Sequence, residues 1–323
     1  MTAVLGNKGL KAALVATGWG MLVALGAAAA RVLPWMLDPR VPWTVLAPFA
    51  RSIALLGAEA ALLVGAPVGF ALASAHLVES GEARVFLLLG EPTHKTLARS
   101  APPIFALALA LAVVSLAGGK DASAPGGVVT ELVARGRATC ALASSPTTEV
   151  VPFLSASWLC APNRAPRLVA QAPVGDTIVT ATNATVAGDF RRIVLSDARF
   201  SVGSAKIHVE QLILRGLPPW ARASTLSPFW RAVLMALSLL VATFAASFFV
   251  AEFRVRARFA AFLLGAAGPL GALAALRALE RRDAPSAAFA VLPLAALVCV
   301  SLAALALRAW RSRTKVALAN PDC

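Results

Sequence analysis

Side chains able to do acid–base, nucleophilic or metal chemistry are few and scattered in this chain. Its three histidines, His76, His94 and His208, lie far apart and lack partners at a spacing that would hold zinc. The four cysteines, Cys140, Cys160, Cys299 and Cys323, form no CxxC pair and no Cys/His cluster. Only Cys140 and Cys160 share a stretch, and a disulfide or two buried thiols would look alike there. There is no phosphate-binding GxxxxGK[ST] loop and no nucleophile elbow. No catalytic constellation, no cofactor and no metal site are therefore expected, and the chain reads as a protein without enzymatic activity of its own. One carboxylate stands out. Glu59 lies about a third of the way into a long apolar run, where an ionisable group is costly. It is either a functional group or a hydrogen-bonded glutamate in a helix interface.

The elements around these residues are set by hydropathy. Of 323 residues, 59% are hydrophobic and only 14% are charged, well below the roughly one quarter usual in soluble domains. Apolar runs cover 12–30, 52–75, 101–118, 232–251, 259–276 and 286–307. Runs of about 18 residues with few charges are long enough to cross a bilayer. Backbone polar groups find no water in lipid, so such runs are expected to be helices. Their Ala, Leu and Gly content suits close packing. The first run follows Lys8 and Lys11 and ends in Ala27–Ala30. It is longer than a usual signal core of about 7–15 residues, so an uncleaved first span is expected. The net charge of +14 is spread along the chain, often at span ends, and reads as topology; no nucleic-acid partner is expected.

Between the third and fourth runs, residues 119–228 hold 11 Lys/Arg and 7 Asp/Glu and no spanning run. Asp176 to Val186, Arg192 to Val202 and Lys206 to Leu214 tend to alternate apolar and polar residues, punctuated by Gly175, Asn183, Gly188, Gly203 and Pro218. A small β-sandwich or jellyroll is expected. The division is thus an N-terminal membrane half, 1–118, a central β domain, 119–228, and a C-terminal membrane half, 229–323. Residues 31–51 read as the first outer loop, with Trp35 and Trp43 as interfacial anchors. Pro67 and Gly69 are expected to bend the second span. Within the loop 79–100, Ala83 to Leu89 is mostly apolar but too short to span, and a short surface helix fits it.

Short-loop charges give an orientation. Twelve Lys/Arg fall on the side of the N-terminus and six on the other. The positive-inside rule then puts both termini and the 79–100 loop in the cytoplasm and the central domain outside.

This plan resembles that of the LptF/LptG (YjgP/YjgQ) permeases, the membrane subunits of the ABC machine that extracts lipopolysaccharide from the inner membrane. The family has three spans, a periplasmic β-jellyroll and three more spans. Its loop after the second span carries a Glu, a Gly eight positions later, a basic residue and a Pro, matched here by Glu82, Gly90, Arg99 and Pro102. Pro67 and Arg231 match a proline of the second span and an arginine at the start of the fourth. Leu87 stands where family members often carry Arg. The likeness spans the chain by architecture and about 70–102 by motif.

The resemblance implies a polytopic α-helical membrane protein with six transmembrane helices, three plus three, around an inserted periplasmic jellyroll-like domain. It implies a bacterial inner-membrane location. It also implies four partners: a cytosolic ABC ATPase dimer, a second six-helix permease subunit, a periplasmic jellyroll adaptor and lipopolysaccharide. The Ala83–Leu89 helix would be the coupling helix, with Glu82, Arg84, Phe86, Leu87 and Gly90 meeting the ATPase. Arg31 and Arg40 would meet lipid phosphates, and the jellyroll would take acyl chains along its apolar interior. The other reading is a membrane scaffold or sensor whose outer β domain binds a partner without ATPase coupling.

Overall fold

The computed structural model describes residues 4–36, 43–88, 92–120, 124–151, 156–162, 164–171, 178–186, 192–202, 205–215, 226–282 and 284–319. These fall into two compact units, one of residues 1–28, 54–119 and 224–323 and one of residues 29–53 and 120–223.

The first unit is helical. It holds α1 (Val4–Met36) up to Ala28, α2 (Trp43–Glu79) from Ala54, α5 (Ala101–Lys120), α7 (Pro228–Glu252), α8 (Arg258–Arg281) and α9 (Leu292–Ala319), the last entered through a 3-10 turn at Ser286–Val291; the end of α1 and the start of α2 belong to the second unit. Two short helices, α3 (Glu82–Leu88) and α4 (Thr93–Arg99), lie between α2 and α5. Among the described residues, six helical segments have the length and apolarity to cross a membrane: Gly6–Ala27, Ile53–Glu79, Ala101–Gly118, Pro228–Glu252, Arg258–Glu280 and Ser286–Trp310. All six apolar runs of the sequence are helical.

Residues 31–51, expected as an outer loop, are mostly helix: α1 continues to Met36 and α2 begins at Trp43. A helix need not stop where its apolar run stops. α2 and α8 run through Pro67 and Pro269 as single helices.

Small residues set the packing. Along α2, Gly57, Ala61, Gly65 and Gly69 recur every fourth residue and face Ala24, Gly20, Thr17 and Ala13 of α1 in descending order, so the two helices run antiparallel with their backbones close. A Cβ at Gly65 would fall 2.7 Å from the Thr17 Cα, and one at Gly57 would fall 2.8 Å from the Ala24 Cβ. α8 uses the same device. Gly268 meets Ala242 of α7 and Val300 of α9, Gly271 meets Cys299, and Gly265 meets Val68 of α2. The main core, with Leu63, Phe70, Ile104, Leu111, Met235, Leu239, Leu276 and Phe289, joins α2, α5, α7, α8 and the 3-10 turn.

The second unit holds the sheet. α6 (Ala124–Ala141) precedes β1 (Thr147–Val151), β2 (Ala156–Cys160), β3 (Arg167–Gln171), β4 (Ile178–Ala181), β5 (Asn183–Val186), β6 (Arg192–Val202) and β7 (Ala205–Arg215). The seven strands make one curled antiparallel sheet in the order β1-β2-β3-β4-β6-β5, with β7 on the other edge of β6. The strands read at 176–186, 192–202 and 206–214 are present, the first divided at Thr182 into β4 and β5. Strands β1 to β3 and helix α6 were not foreseen.

α6 packs on β1, β2 and β5. Val129, Leu132, Val133, Gly136 and Cys140 form its buried or half-buried stripe. Under it lie Trp158, fully buried, with Leu168, Val179, Ala181, Leu195 and Ala198. Gly136 makes room for the indole, since a Cβ there would fall 2.8 Å from Trp158 Cδ1. Cys140 and Cys160 are joined as a disulfide across a Cα–Cα distance of 5.0 Å, tying the end of α6 to β2. Among the described residues, then, the apolar face of the sheet is filled by a helix.

Candidate functional site

The short helix of the 79–100 loop forms where the sequence placed it, one residue earlier at each end. α2 ends in Ser80 and Gly81, with the Ser80 amide donating to the His76 carbonyl at 2.9 Å. Gly81 has φ of +79°, a left-handed conformation that suits glycine and lets the chain turn into α3. Glu82 opens α3, where the helix dipole favours a carboxylate. Its two oxygens accept from Lys8 Nζ of α1 at 2.9 and 3.1 Å. Glu82 is thus engaged within the chain, through a half-exposed ion pair of the kind worth about 0–1 kcal/mol. Arg84 is exposed. Phe86 and Leu87 belong to α3, but their side chains lie outside the described residues, as does Gly90 altogether. Nearby, Arg258 of α8 reaches Glu79 of α2 at 3.5 Å, so the starts of α1 and α8 share one end of the bundle with the end of α2.

Of the pair assigned to lipid phosphate, Arg31 lies on the last turns of α1 with its side chain outside the described residues, and Arg40 lies outside them entirely. The side chains of Trp35 and Trp43 are likewise undescribed. Trp230 and Trp310 are exposed, as interfacial anchors would be.

A cavity of about 830 Å³ lies between α1 and α2, with Phe262 of α8 at its side. Its walls are almost wholly apolar: Val15, Trp19 and Val23 from α1, Val64 and Val68 from α2. Lys11 lines it too and is its one charged side chain. Trp19 and Val23 are 67% and 70% exposed, so the cavity opens on the surface of the bundle. Its size falls within the range of small-molecule pockets. The small-residue stripe produces it: where the helices carry Gly and Ala they touch, and beside that seam no large side chain fills the angle.

At the other end of the bundle is a buried ionic cluster. Arg231 of α7 sits between Glu59 of α2, 3.3 Å away, and Glu280 of α8, 3.2 Å away. All three residues are at least 94% buried. Ser115 of α5 donates to Glu59 at 3.2 Å, and Arg277 donates to the second oxygen of Glu280 at 3.3 Å. Arg231 Nε is buried without a hydrogen-bond partner. The cluster brings together the start of the second span, the end of the third, the start of the fourth and the end of the fifth, which is the alternation that antiparallel spans require. Glu59 and Arg231 were each singled out in the sequence, but not as partners. Glu280, Ser115 and Arg277 were missed. The signal available was Glu280 itself, an acidic residue set among Arg277, Arg281 and Arg282.

Among the described residues no group of His, Cys, Asp and Glu could hold a metal ion. No protein-family model matches the chain, and no curated protein of similar sequence was found.

Proposed function

We propose that this chain is a non-enzymatic permease subunit of an ABC machine that extracts lipopolysaccharide from the inner membrane and passes it to a periplasmic jellyroll bridge. In this reading the six helices form two halves of three around a jellyroll-like periplasmic domain, and both termini are cytoplasmic. The observation that carries it is the apolar cavity beside α1, open to the side of the bundle and bordered by the fifth span through Phe262. That is where a lipid drawn in laterally would lodge its acyl chains. The disulfide supports an oxidising compartment for the sheet domain. The α3 helix, displayed at the opposite end from the ionic cluster with Arg84 exposed, supports a docking element for an ATPase dimer. Because α6 fills the apolar face of the sheet, acyl chains would need another path or a displacement of α6.

The test is purification from membranes in mild detergent followed by native mass spectrometry. The export reading expects an ATPase dimer and a second six-helix subunit to be recovered. Glu82→Ala and Arg84→Ala should weaken that association, while Lys8→Ala, which breaks the same internal ion pair, should not. Equal loss in Lys8→Ala would give Glu82 a purely internal role. Recovery of the chain alone, or with outer partners only, would favour the scaffold or sensor reading.

A further inference from the structure

The face of the sheet turned away from α6 carries a second cavity, of about 310 Å³. Its lining includes Arg167 of β3, Thr180 of β4, Arg199 and Ser201 of β6, and Lys206 and His208 of β7. Strand pairing assembles them. Thr180 stands opposite Arg199, and Arg199 opposite His208; one step along, Ile178 stands opposite Ser201 and Ser201 opposite Lys206. Since side chains alternate across a sheet, these residues project from one face, while Val179, Ala181 and Ala198 point to the core beneath α6.

The basic groups are held in place. At Asp197 the backbone turns to φ of +51°, and there one edge of β6 passes from pairing with β5 to pairing with β4. The Asp197 carboxylate accepts from Arg167 with one oxygen and lies 2.5 Å from His208 Nε2 with the other. Its backbone carbonyl accepts a further bond from Arg167 at 3.3 Å. Asp197 thereby positions two of the four basic groups by their edges, and Arg167 Nε is buried with no hydrogen-bond partner. Arg199 Nε lies 3.7 Å from the same carboxylate, and its side chain is 56% exposed. Glu210 follows His208 on the same face of β7 but does not line the cavity. Among the described residues the lining therefore holds three permanent cations, a histidine and two hydroxyls, and no carboxylate.

We infer that this cavity is a binding site for a phosphate ester, its oxygens taken by Arg199, Lys206 and the terminal N–H groups of Arg167 that Asp197 does not use, with Thr180 and Ser201 as hydroxyl donors. Guanidinium groups match phosphate geometry with paired N–H bonds, and lysine adds a mobile point charge. The exposed Ile178 at its margin would bear on the apolar part of the ester. The phosphate could be that of a free ester or of a lipid headgroup. The site stands on the sheet face alone and does not depend on the export reading.

The experiment is calorimetric titration of the full chain in phosphatidylcholine nanodiscs at low salt, with glycerol 3-phosphate and separately with short-chain phosphatidic acid. Saturable binding is expected, weakening as salt rises. The double variant Arg199→Gln/Lys206→Gln changes two exposed side chains outside the core and should weaken it at least tenfold. Tight binding of phosphatidic acid with weak binding of glycerol 3-phosphate identifies a lipid headgroup; equal binding identifies the ester alone. No binding of either at millimolar concentration, unchanged affinity in the double variant, or equal displacement by acetate would overturn the assignment. A chain that binds phosphate yet recovers no ATPase separates this site from the export reading.

Discussion

Arg231 and Glu280 sit at the wrong ends of their helices. A cation near the start of α7 and an anion near the end of α8 both oppose the helix dipoles. Each is tolerable because it faces the other, and Glu59 adds a second carboxylate. Removing one member leaves an uncompensated buried charge, whereas replacing all of them with apolar groups of like volume can be neutral. Arg231→Leu should therefore cost about 3–5 kcal/mol of stability, measured by denaturant unfolding in detergent. Arg231→Leu combined with Glu59→Leu and Glu280→Leu should recover most of it. A single Arg231→Leu costing nothing measurable would mean that water, not Arg231, solvates the carboxylates. Asp197 gives a pH prediction. The hydrogen bond from His208, helped by Arg167 and Arg199, holds its carboxyl below the ordinary value of 3.8. A depressed folded pKa contributes stability that is present above 3.8 and lost as pH falls through the folded value. Asp197→Asn should remove that acid dependence; a wild type and variant with parallel stability curves below pH 4 would contradict it.

At the scale of elements, two close contacts decide the packing. The α1–α2 seam requires residues without side chains on one helix. Gly65→Leu would push the Thr17 backbone away, at a cost of about 1–3 kcal/mol or more, and should also disturb the cavity bordered by both helices. A maleimide probe at Val23→Cys would report the change as altered labelling. In the other unit, Gly136→Val should force α6 off Trp158 and cost about 1–3 kcal/mol, read from tryptophan fluorescence during unfolding. Unchanged unfolding would mean that α6 is not the lid of that core. α6 itself was legible in principle. Its apolar residues recur with helical spacing, but the β-rich pattern that follows it drew the whole stretch into one class.

For the whole molecule, the disulfide links the compartment to the fold. It closes a loop of 20 residues between helix and sheet, which by chain-entropy reasoning stabilises the sheet domain by about 3 kcal/mol. Cys140→Ser/Cys160→Ser should lower the domain's melting transition accordingly. In the intact protein, Cys140 and Cys160 should resist alkylation until reduced, while Cys299, half-buried and free, should label in denaturant without a reductant. Alkylation of Cys140 and Cys160 without reduction would place the sheet domain in a reducing compartment and reverse the expected orientation.

The apolar runs by themselves determined the six long helices among the described residues, because an unbroken apolar segment of that length satisfies its backbone polar groups within itself as a helix. They also determined the existence of a separate β-containing domain, and the alternation at 192–202 and 206–214 located its two longest strands. Only the tertiary structure decided that Glu59 meets Arg231 across 172 residues of sequence, that Lys8 takes up Glu82, and that, among the described residues, α6 covers the apolar face of the sheet. Those are outcomes of which helix faces which. Local composition does not encode that choice, since a glycine stripe or a lone buried charge states a requirement without naming the partner that meets it.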